Sequence, residues 1–444
     1  MLSLVPGAIA EPGLRIRFMS PLPLTDLLSI NGAMTASSLL KALQVSRSTL
    51  SRMVAAEKTV IRLGRTRATR YALPRRIAGL PVRIPVYRIS GTGGVVQAAS
   101  LVPIAGRGTW VEPASGVGHL HEGLPPVVFD MAPAGYLGRR FADRNAVLDL
   151  PPRLEDWSDD HRLIALARRG EDAPGDLVIG EESLDRFLKQ VPAGSKPADY
   201  PRLARESAEG GAGSSAAGEQ PKFTAFRDGR HFLVKFTIGD GAPSDLRWRD
   251  LYVCESLALE TLAEAGVSAS RSRILDVGDH RFLEVERFDR VGVRGRRGVL
   301  TLGPLDDDLF GHRDNWSDAA TRLHEAKLLS PEDARRVRLL EAVAMGIANG
   351  DRHFGNLAFF ADGLRYQPPL GLAPAYDMLP MSAAPRAGVI PEMPEPESFE
   401  RARLLDVIAD ARKIVDAFWD KVGNHPLVSR AFRKVVIRRK SARG

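Results

Sequence analysis

Apolar positions recur three and four residues apart in TASSLLKALQVSRSTLSRMV, residues 35–54: Leu39, Leu40 and Leu43, then Leu50, Met53 and Val54. That spacing predicts two short helices joined by a tight turn near Gln44–Ser46, with Ser46 capping the second. The next stretch, VIRLGRTRATRYAL, alternates on either side of Gly64 and predicts a hairpin. Between Pro81 and about Gly118 the runs PVYRI, GVVQAASLV and GTWVE predict a small antiparallel sheet. Helical spacing follows at Met131–Ala142 and His161–Ala167, whereas the small and polar residues from Ala193 to Gly213 read as loop. Further on, HFLVKF and FLEVERFDR read as strands, Asp250–Ala265 and Pro331–Ala348 as helices, and LAFF as a strand. Strands and helices alternate irregularly, without internal repeats, as in an α+β chain of two or three domains.

Composition changes this picture little. With 44% apolar and 26% charged residues among 444, and no apolar run near the ~18 residues of a bilayer span, the chain reads as globular. The single cysteine, Cys254, sits among apolar neighbours and fits a reduced thiol in the cytoplasm. The apolar stretch Leu2–Ala10 has no preceding cation, the wrong order for a secretion signal, and residues 1–19 read as lying outside the folded domains, with Met19 an alternative start.

Charge is distributed unevenly. Residues 1–76 hold twelve Lys/Arg against Glu11, Asp26 and Glu57, a local +9 that leaves −1 for the remainder of a chain of net +8. A basic field on a small module fits a nucleic-acid partner, and equally a solvated face. On the second helix, Ser46, Arg47, Ser48, Ser51 and Arg52 fall on the outer side, where short polar and cationic groups meet base edges and phosphates in a major groove. Arg62, Arg65, Arg67 and Arg70 line the hairpin. The segment 20–78 therefore predicts a winged helix-turn-helix that binds DNA, the competing reading being a small helical bundle with a basic hairpin.

GSSAAGEQPKF, residues 213–223, sets small residues before Gln220 and Lys222. Backbone amides in such a run can approach a phosphate closely, although the same composition serves a flexible linker. Lys235 follows in a β-type strand, and Glu255 falls on the apolar stripe of the next helix, with Leu251, Ala258 and Leu262. A buried carboxylate needs a cationic partner, and Lys235 is the nearest candidate. Together they would form the Lys–Glu pair that holds a nucleotide lysine in kinases.

The helix ending at Ala348 opens into NGDRHFGN, in which Asp351 and Asn356 have the D-x-x-x-x-N spacing of a kinase catalytic loop. Asp377, in PAYDMLP, is the second carboxylate, and two oxygen ligands plus phosphates suffice for Mg²⁺. Singly, each of these residues reads as a cap or a turn. Their order, phosphate loop, Lys, Glu, Asp-x4-Asn, Asp, points to phosphoryl transfer.

These segments together resemble the HipA family of bacterial toxin kinases, and the fused N-terminal module is similar to its YjjJ-type branch. The resemblance implies a two-lobed kinase-like fold, with a β-rich lobe at 79–288 and a helical lobe at 289–444, acting with ATP and Mg²⁺ on a protein Ser or Thr. It implies that Ala217, Gly218, Glu219, Gln220, Pro221 and Lys222 cradle phosphates, that Lys235, supported by Glu255, grips them, and that Glu286, Arg287 and Phe288 form the adenine hinge. It further implies Asp351 as catalytic base, His353, Asn356 and Tyr376 in the nucleotide site, Asn356 and Asp377 as magnesium ligands, and Ser215, with Ser214 beside it, as a regulatory phosphorylation site. Glu219 adds a carboxylate inside the loop, a departure from what phosphate binding favours. Other function classes compatible with the residues are a nucleotide-sensing regulator without transfer and a small-molecule phosphotransferase. The partners expected are ATP, a protein substrate and DNA, without a membrane, and a homodimer is compatible with the sequence.

Overall fold

The helix-forming spacing near the N-terminus does build helices. In a computed structural model, which describes residues 23–64, 69–106, 108–208, 220–386, 388–391, 397–399 and 401–434, the first module is α1 (Leu24–Asn31), β1 (Met34–Thr35), α2 (Ala36–Leu43), α3 (Arg47–Ala56), β2 (Ile61–Leu63) and β3 (Arg70–Ala72). Thr35 Oγ1 accepts the Ser38 amide at 3.1 Å and Ser46 Oγ the Thr49 amide at 3.2 Å, so both expected helices carry side-chain caps. Gln44 makes the turn between them in the left-handed region, φ 53°. Leu24, Leu28, Leu39, Leu43 and Leu50 form the core of this module, with Met53 and Val54 at its margin. The strands pair antiparallel in the order β1-β3-β2. Residues 1–19 and the hairpin arginines Arg65 and Arg67 lie outside the described residues.

The expected small sheet has five strands: β4 (Ile84–Ile89), β5 (Val95–Ile104), β6 (Gly108–Pro113), β7 (His119–Glu122) and, after three helices, β8 (Leu177–Ile179), in the order β7-β6-β5-β4-β8. The helices between are α4 (Pro126–Met131), α5 (Gly135–Arg144) and α6 (Asp159–Arg169), and α7 (Glu181–Lys189) follows β8. A single helix over 131–142 is not what forms. Ala132, held extended at ψ 148° before Pro133, ends α4, as residues preceding proline tend to do.

The segment expected as loop after Ala193 contains α8 (Tyr200–Ala208). Tyr200, Ala204 and Ser207 share its buried face, and the Tyr200 ring packs edge-on to Phe223 and Phe282. Those rings belong to the next sheet, β9 (Lys222–Arg227) and β10 (Arg230–Phe236), then, beyond α9 (Pro243–Glu264), β11 (Ser272–Val277) and β12 (His280–Glu286), in the order β11-β12-β10-β9.

Strands continue past the expected lobe boundary at 288. β13 (Arg290–Val291) pairs with β14 (Gly295–Arg296), and β15 (Val299–Thr301) leads into α10 (Leu302–Leu309), α11 (Trp316–Glu325) and α12 (Pro331–Gly346). β15 then pairs with β16 (Ala358–Phe360), which pairs with β17 (Gly371–Leu372), and α13 (Ile408–Asn424) closes the helical part. One apolar cluster runs from Val86 and Leu101 of the five-stranded sheet through Leu251 and Leu262 of α9 to Leu340, Val343, Phe418 and Val422. The five-stranded sheet, α9 and the helical part thus share a core, while the rings of the four-stranded sheet cluster with Tyr200. Among the described residues, no helix is long and apolar enough to cross a membrane.

Candidate active site

Lys235 lies near the end of β10, opposite Lys222 of β9 and Leu283 of β12. Its side chain enters the interior, only 5% exposed, where the ammonium donates to both oxygens of Glu255 at 2.8 Å. Glu255 is fully buried on α9. The pair expected from the helical stripe is therefore formed. A second carboxylate, Asp377, takes a further hydrogen bond from the same ammonium.

One buried cation between a fully buried acid, Glu255, and a partly exposed one, Asp377, sets their protonation. Burial alone would lower the Lys235 pKa, but Asp377 and then Glu255 outweigh it and hold the ammonium charged well above its ordinary value. For Glu255, burial is the largest influence and pushes the carboxyl up to about 7, with Lys235 offsetting only part. Burial also opposes ionisation of Asp377, yet Lys235 and Lys222 overcome it and hold that carboxyl down at about 2. Asp377 is accordingly the carboxylate that carries the charge, and Glu255 the one close to holding a proton near neutrality.

The loop after α12 is tied to Asp377 from behind. Its helix ends at Gly346, Ala348 turns at φ 59°, and Asn349 follows fully buried. The Asn349 Oδ1 accepts the Asp351 amide at 3.0 Å, while its Nδ2 donates to the Asp377 carbonyl at 3.2 Å. Asp377 itself has φ 53°. Asn356 Nδ2 donates to the Asp351 carbonyl at 2.9 Å, which turns its Oδ1 the other way. A Cβ on Gly350 would stand 2.7 Å from Ser382 Oγ, so the loop packs against the Met381–Ala383 turn.

His353 Nδ1 accepts the Gly355 amide at 3.0 Å, and its Nε2 is 3.9 Å from the Asp351 carboxylate. Its ring is a cap within the loop. Tyr376 donates to the Gly355 carbonyl at 2.6 Å and lies 5.6 Å from the Phe288 ring, which meets Phe360 edge-on. Gln220 Oε1 accepts from Tyr252 at 2.9 Å, and the Pro221 carbonyl accepts the Phe236 amide at 3.2 Å, anchoring the end of the expected phosphate loop. Ala217, Gly218, Glu219, Ser214 and Ser215 lie outside the described residues.

Of the expected hinge, Phe288 faces the site aromatics, whereas the other two residues are engaged elsewhere. The Glu286 amide donates to Arg271 and its carboxylate pairs with Arg230 at 3.2 Å. The Arg287 amide donates to His231, and its guanidinium joins Asp172 and Asp289, both at 2.9 Å. Arg290 contacts the same two acids, at 3.1 and 2.5 Å. These charges fasten the segment before β8 to the end of β12.

Asn349 was not singled out in the sequence, because Asn-Gly after a helix has the composition of a helix stop. Nothing local distinguishes it. For a cation, Asp377 and the free Oδ1 of Asn356 are both hard oxygen donors, the type Mg²⁺ takes alongside phosphate oxygens. No group of three or more His, Cys, Asp or Glu that could hold a metal occurs among the described residues. In the N-terminal module, Ser46, Arg47, Ser48, Ser51 and Arg52 all stand exposed along one end of α3.

Residues 80–188 match the family profile described as YjjJ-like toxin, middle domain, and residues 214–425 match the HipA-like C-terminal domain. Toxin YjjJ of Escherichia coli (strain K12) is 34% identical over 426 residues, covering 93% of this chain and 95% of that protein. The chain belongs to the YjjJ-like toxin family. Lys235, Glu255, Asp351, Asn356 and Asp377 all lie within the HipA-like domain of this family member, and the helical N-terminal module precedes both matched segments. Among solved structures, HipA in the Shewanella oneidensis MR-1 toxin–antitoxin complex with HipB and operator DNA shares the fold, with a TM-score of 0.50 and 14% identity over 81% of this chain and 95% of that one. The Helicobacter pylori proinflammatory kinase CtkA is more distant, with a TM-score of 0.37 and 13% identity over 50% of this chain and 90% of that one.

Proposed function

We propose that this YjjJ-like protein is an ATP-dependent protein kinase that phosphorylates Ser or Thr and binds DNA through its N-terminal module. The observation that carries the reading is the convergence of Glu255 and Asp377 on the Lys235 ammonium from α9 and from the segment after β17. In this reading Lys235 grips the α- and β-phosphates and Lys222 adds a second cation beside it. Asp351 accepts the proton of the substrate hydroxyl as its oxygen forms a bond to the γ-phosphorus, and the bond to the β–γ bridging oxygen breaks, leaving ADP. Mg²⁺ held by Asp377 and Asn356 would supply neutralising charge for the phosphates. Phe288 and Tyr376 offer the apolar wall against which an adenine stacks. Positioning and electrostatics carry the rate, so modest displacements of the acids are costly.

The capped helix α3, with its exposed arginines, supports docking in a major groove, and the basic hairpin supports phosphate contacts. The buried, unpaired thiol of Cys254 fits a cytoplasmic setting. Ser215 is the proposed site of regulatory phosphorylation, tested by mass spectrometry of the chain incubated with ATP, against Ser215→Ala and Ser214→Ala.

The deciding experiment is transfer of radiolabelled γ-phosphate to protein by the full chain, its Asp351→Asn variant and its Asp377→Asn variant. Labelling by the parent and loss in both variants is the expected result. Full labelling in either variant defeats the assignment, and nucleotide binding without any phosphoprotein would make the fold a sensor.

A further inference from the structure

A second cavity lies away from the Lys235 site, at the N-terminal end of α9. It has a volume of about 540 Å³ and is walled by the first two turns of α9, by Ile390, and by residues 426–433 beyond α13. Among the described residues five arginines line it, Arg247, Arg249, Arg281, Arg430 and Arg433, against one acid, Asp250. Two of the five are already neutralised: Arg249 by Asp245 at 3.1 Å and Arg281 by Asp276 at 2.8 Å. The Asp250 carboxylate is taken up by the amide and hydroxyl of Ser429, both at 2.6 Å.

Asp250 keeps its charge and attracts both Arg247 and Arg281, so with Asp245 and Asp276 also counted a surplus of two positive charges is left among the described residues. Arg247 donates to the Ala383 carbonyl at 2.8 Å and lies over the Phe432 ring at 5.3 Å, neither of which balances its charge. Burial pulls its pKa below the ordinary value, and the nearby Asp250 offsets only part of that. Arg433 has a buried Nε without an acceptor among the described residues. Arg430 is exposed at the rim. A buried donor left unpaired and a surplus of positive charge in a concave site are both relieved by an oxyanion with several acceptors, and guanidinium forks match phosphate in geometry.

We propose that this cavity is a binding site for a phosphate-bearing ligand, held by Arg247, Arg430 and Arg433. Its volume exceeds that of a single phosphate and falls in the range of small-ligand pockets, so the ligand carries more than one phosphate or a phosphate on a larger body. The phosphates could belong to a free oligophosphate or to a nucleic-acid backbone. The inference does not depend on the kinase reading, since Lys235 takes no part in the cavity.

The test is calorimetric titration of the full chain carrying Lys235→Met with Glu255→Gln, which disables the other phosphate-attracting site without stranding a buried carboxylate, with inorganic tripolyphosphate. Saturable binding is expected, weakened at least tenfold by Arg247→Ala with Arg433→Ala, and likewise by Arg430→Glu, whose exposed position leaves the fold intact. A second arm uses a twelve-nucleotide RNA, read as the difference that Arg430→Glu makes, so that binding by the N-terminal module cancels. A larger loss for RNA assigns the site to nucleic acid, and a larger loss for tripolyphosphate to a free ligand. Absence of binding in both arms, or equal affinity with and without Arg430→Glu and the double substitution, overturns the proposal.

Discussion

Asn349 donates its side-chain amide to the backbone carbonyl of Asp377 across 3.2 Å. The other end of the same side chain accepts the amide of Asp351, so one buried residue fixes the spacing between the two acids proposed for catalysis. Replacing it by alanine removes the donor to the Asp377 carbonyl and the acceptor of the Asp351 amide, and so loosens both backbones. Asn349→Ala is expected to lower kcat by roughly 10²-fold, the scale of an ångström-sized misplacement, with little change in the KM for ATP. Asn349→Asp, which keeps the acceptor but loses the donor, should fall between. Steady-state kinetics of both variants check this, and an unchanged kcat in Asn349→Ala would remove its positioning role.

The triad of Lys235, Glu255 and Asp377 makes a prediction about stability. Lys235→Met leaves Glu255 buried without its cation, and breaking one side of a buried pair costs about 3–5 kcal/mol. Part of this is recovered because Glu255 can take up a proton. Lys235→Met combined with Glu255→Gln should therefore be more stable in urea than Lys235→Met alone, and the reverse order would contradict the pairing.

The protonation of the triad sets a pH dependence. Glu255 has its folded pKa raised to about 7 from an ordinary 4.5, so between those values the native state holds more protons than the unfolded chain. Stability attributable to this group falls as pH rises through that window. Asp377 runs oppositely: its carboxyl is held at about 2 against 3.8, so its contribution is present above 3.8 and is lost as pH falls toward 2. Urea midpoints measured from pH 4.5 to 7.5 should show a downward component that disappears in Glu255→Gln.

For the N-terminal module, Arg47→Ala and Arg52→Ala in the full chain are each expected to weaken a sequence-specific DNA complex by about 1–3 kcal/mol if they reach base edges. A uniform loss across sequences, with a shallower salt dependence, would instead mark them as phosphate contacts. Band-shift titrations at two salt concentrations separate the two outcomes.

What could be read from the chain beforehand followed the range of the interactions. Lys235 with Glu255 was legible because a charged residue on an apolar stripe demands a partner, and the paired helices α2 and α3 because their caps and leucines are local. α8 was missed: its small and polar residues read as loop, and its helix is held by the burial of Tyr200 against rings that lie 23 and 82 residues further on. The ion pair of Arg287 with Asp172 was not legible, because that acid comes from the middle segment, over a hundred residues earlier. The arginine cavity was invisible for the same reason, since its walls come from α9 and from the chain beyond α13.

α9 runs for 22 residues with its only proline in the first turn and no glycine at all. Arg247 and Glu255 sit eight residues apart on one stripe of it, about 12 Å along the axis. The arginine that lines the second cavity and the acid that holds Lys235 are thus set in place by a single straight piece of backbone, whose length fixes how far apart the two sites stand.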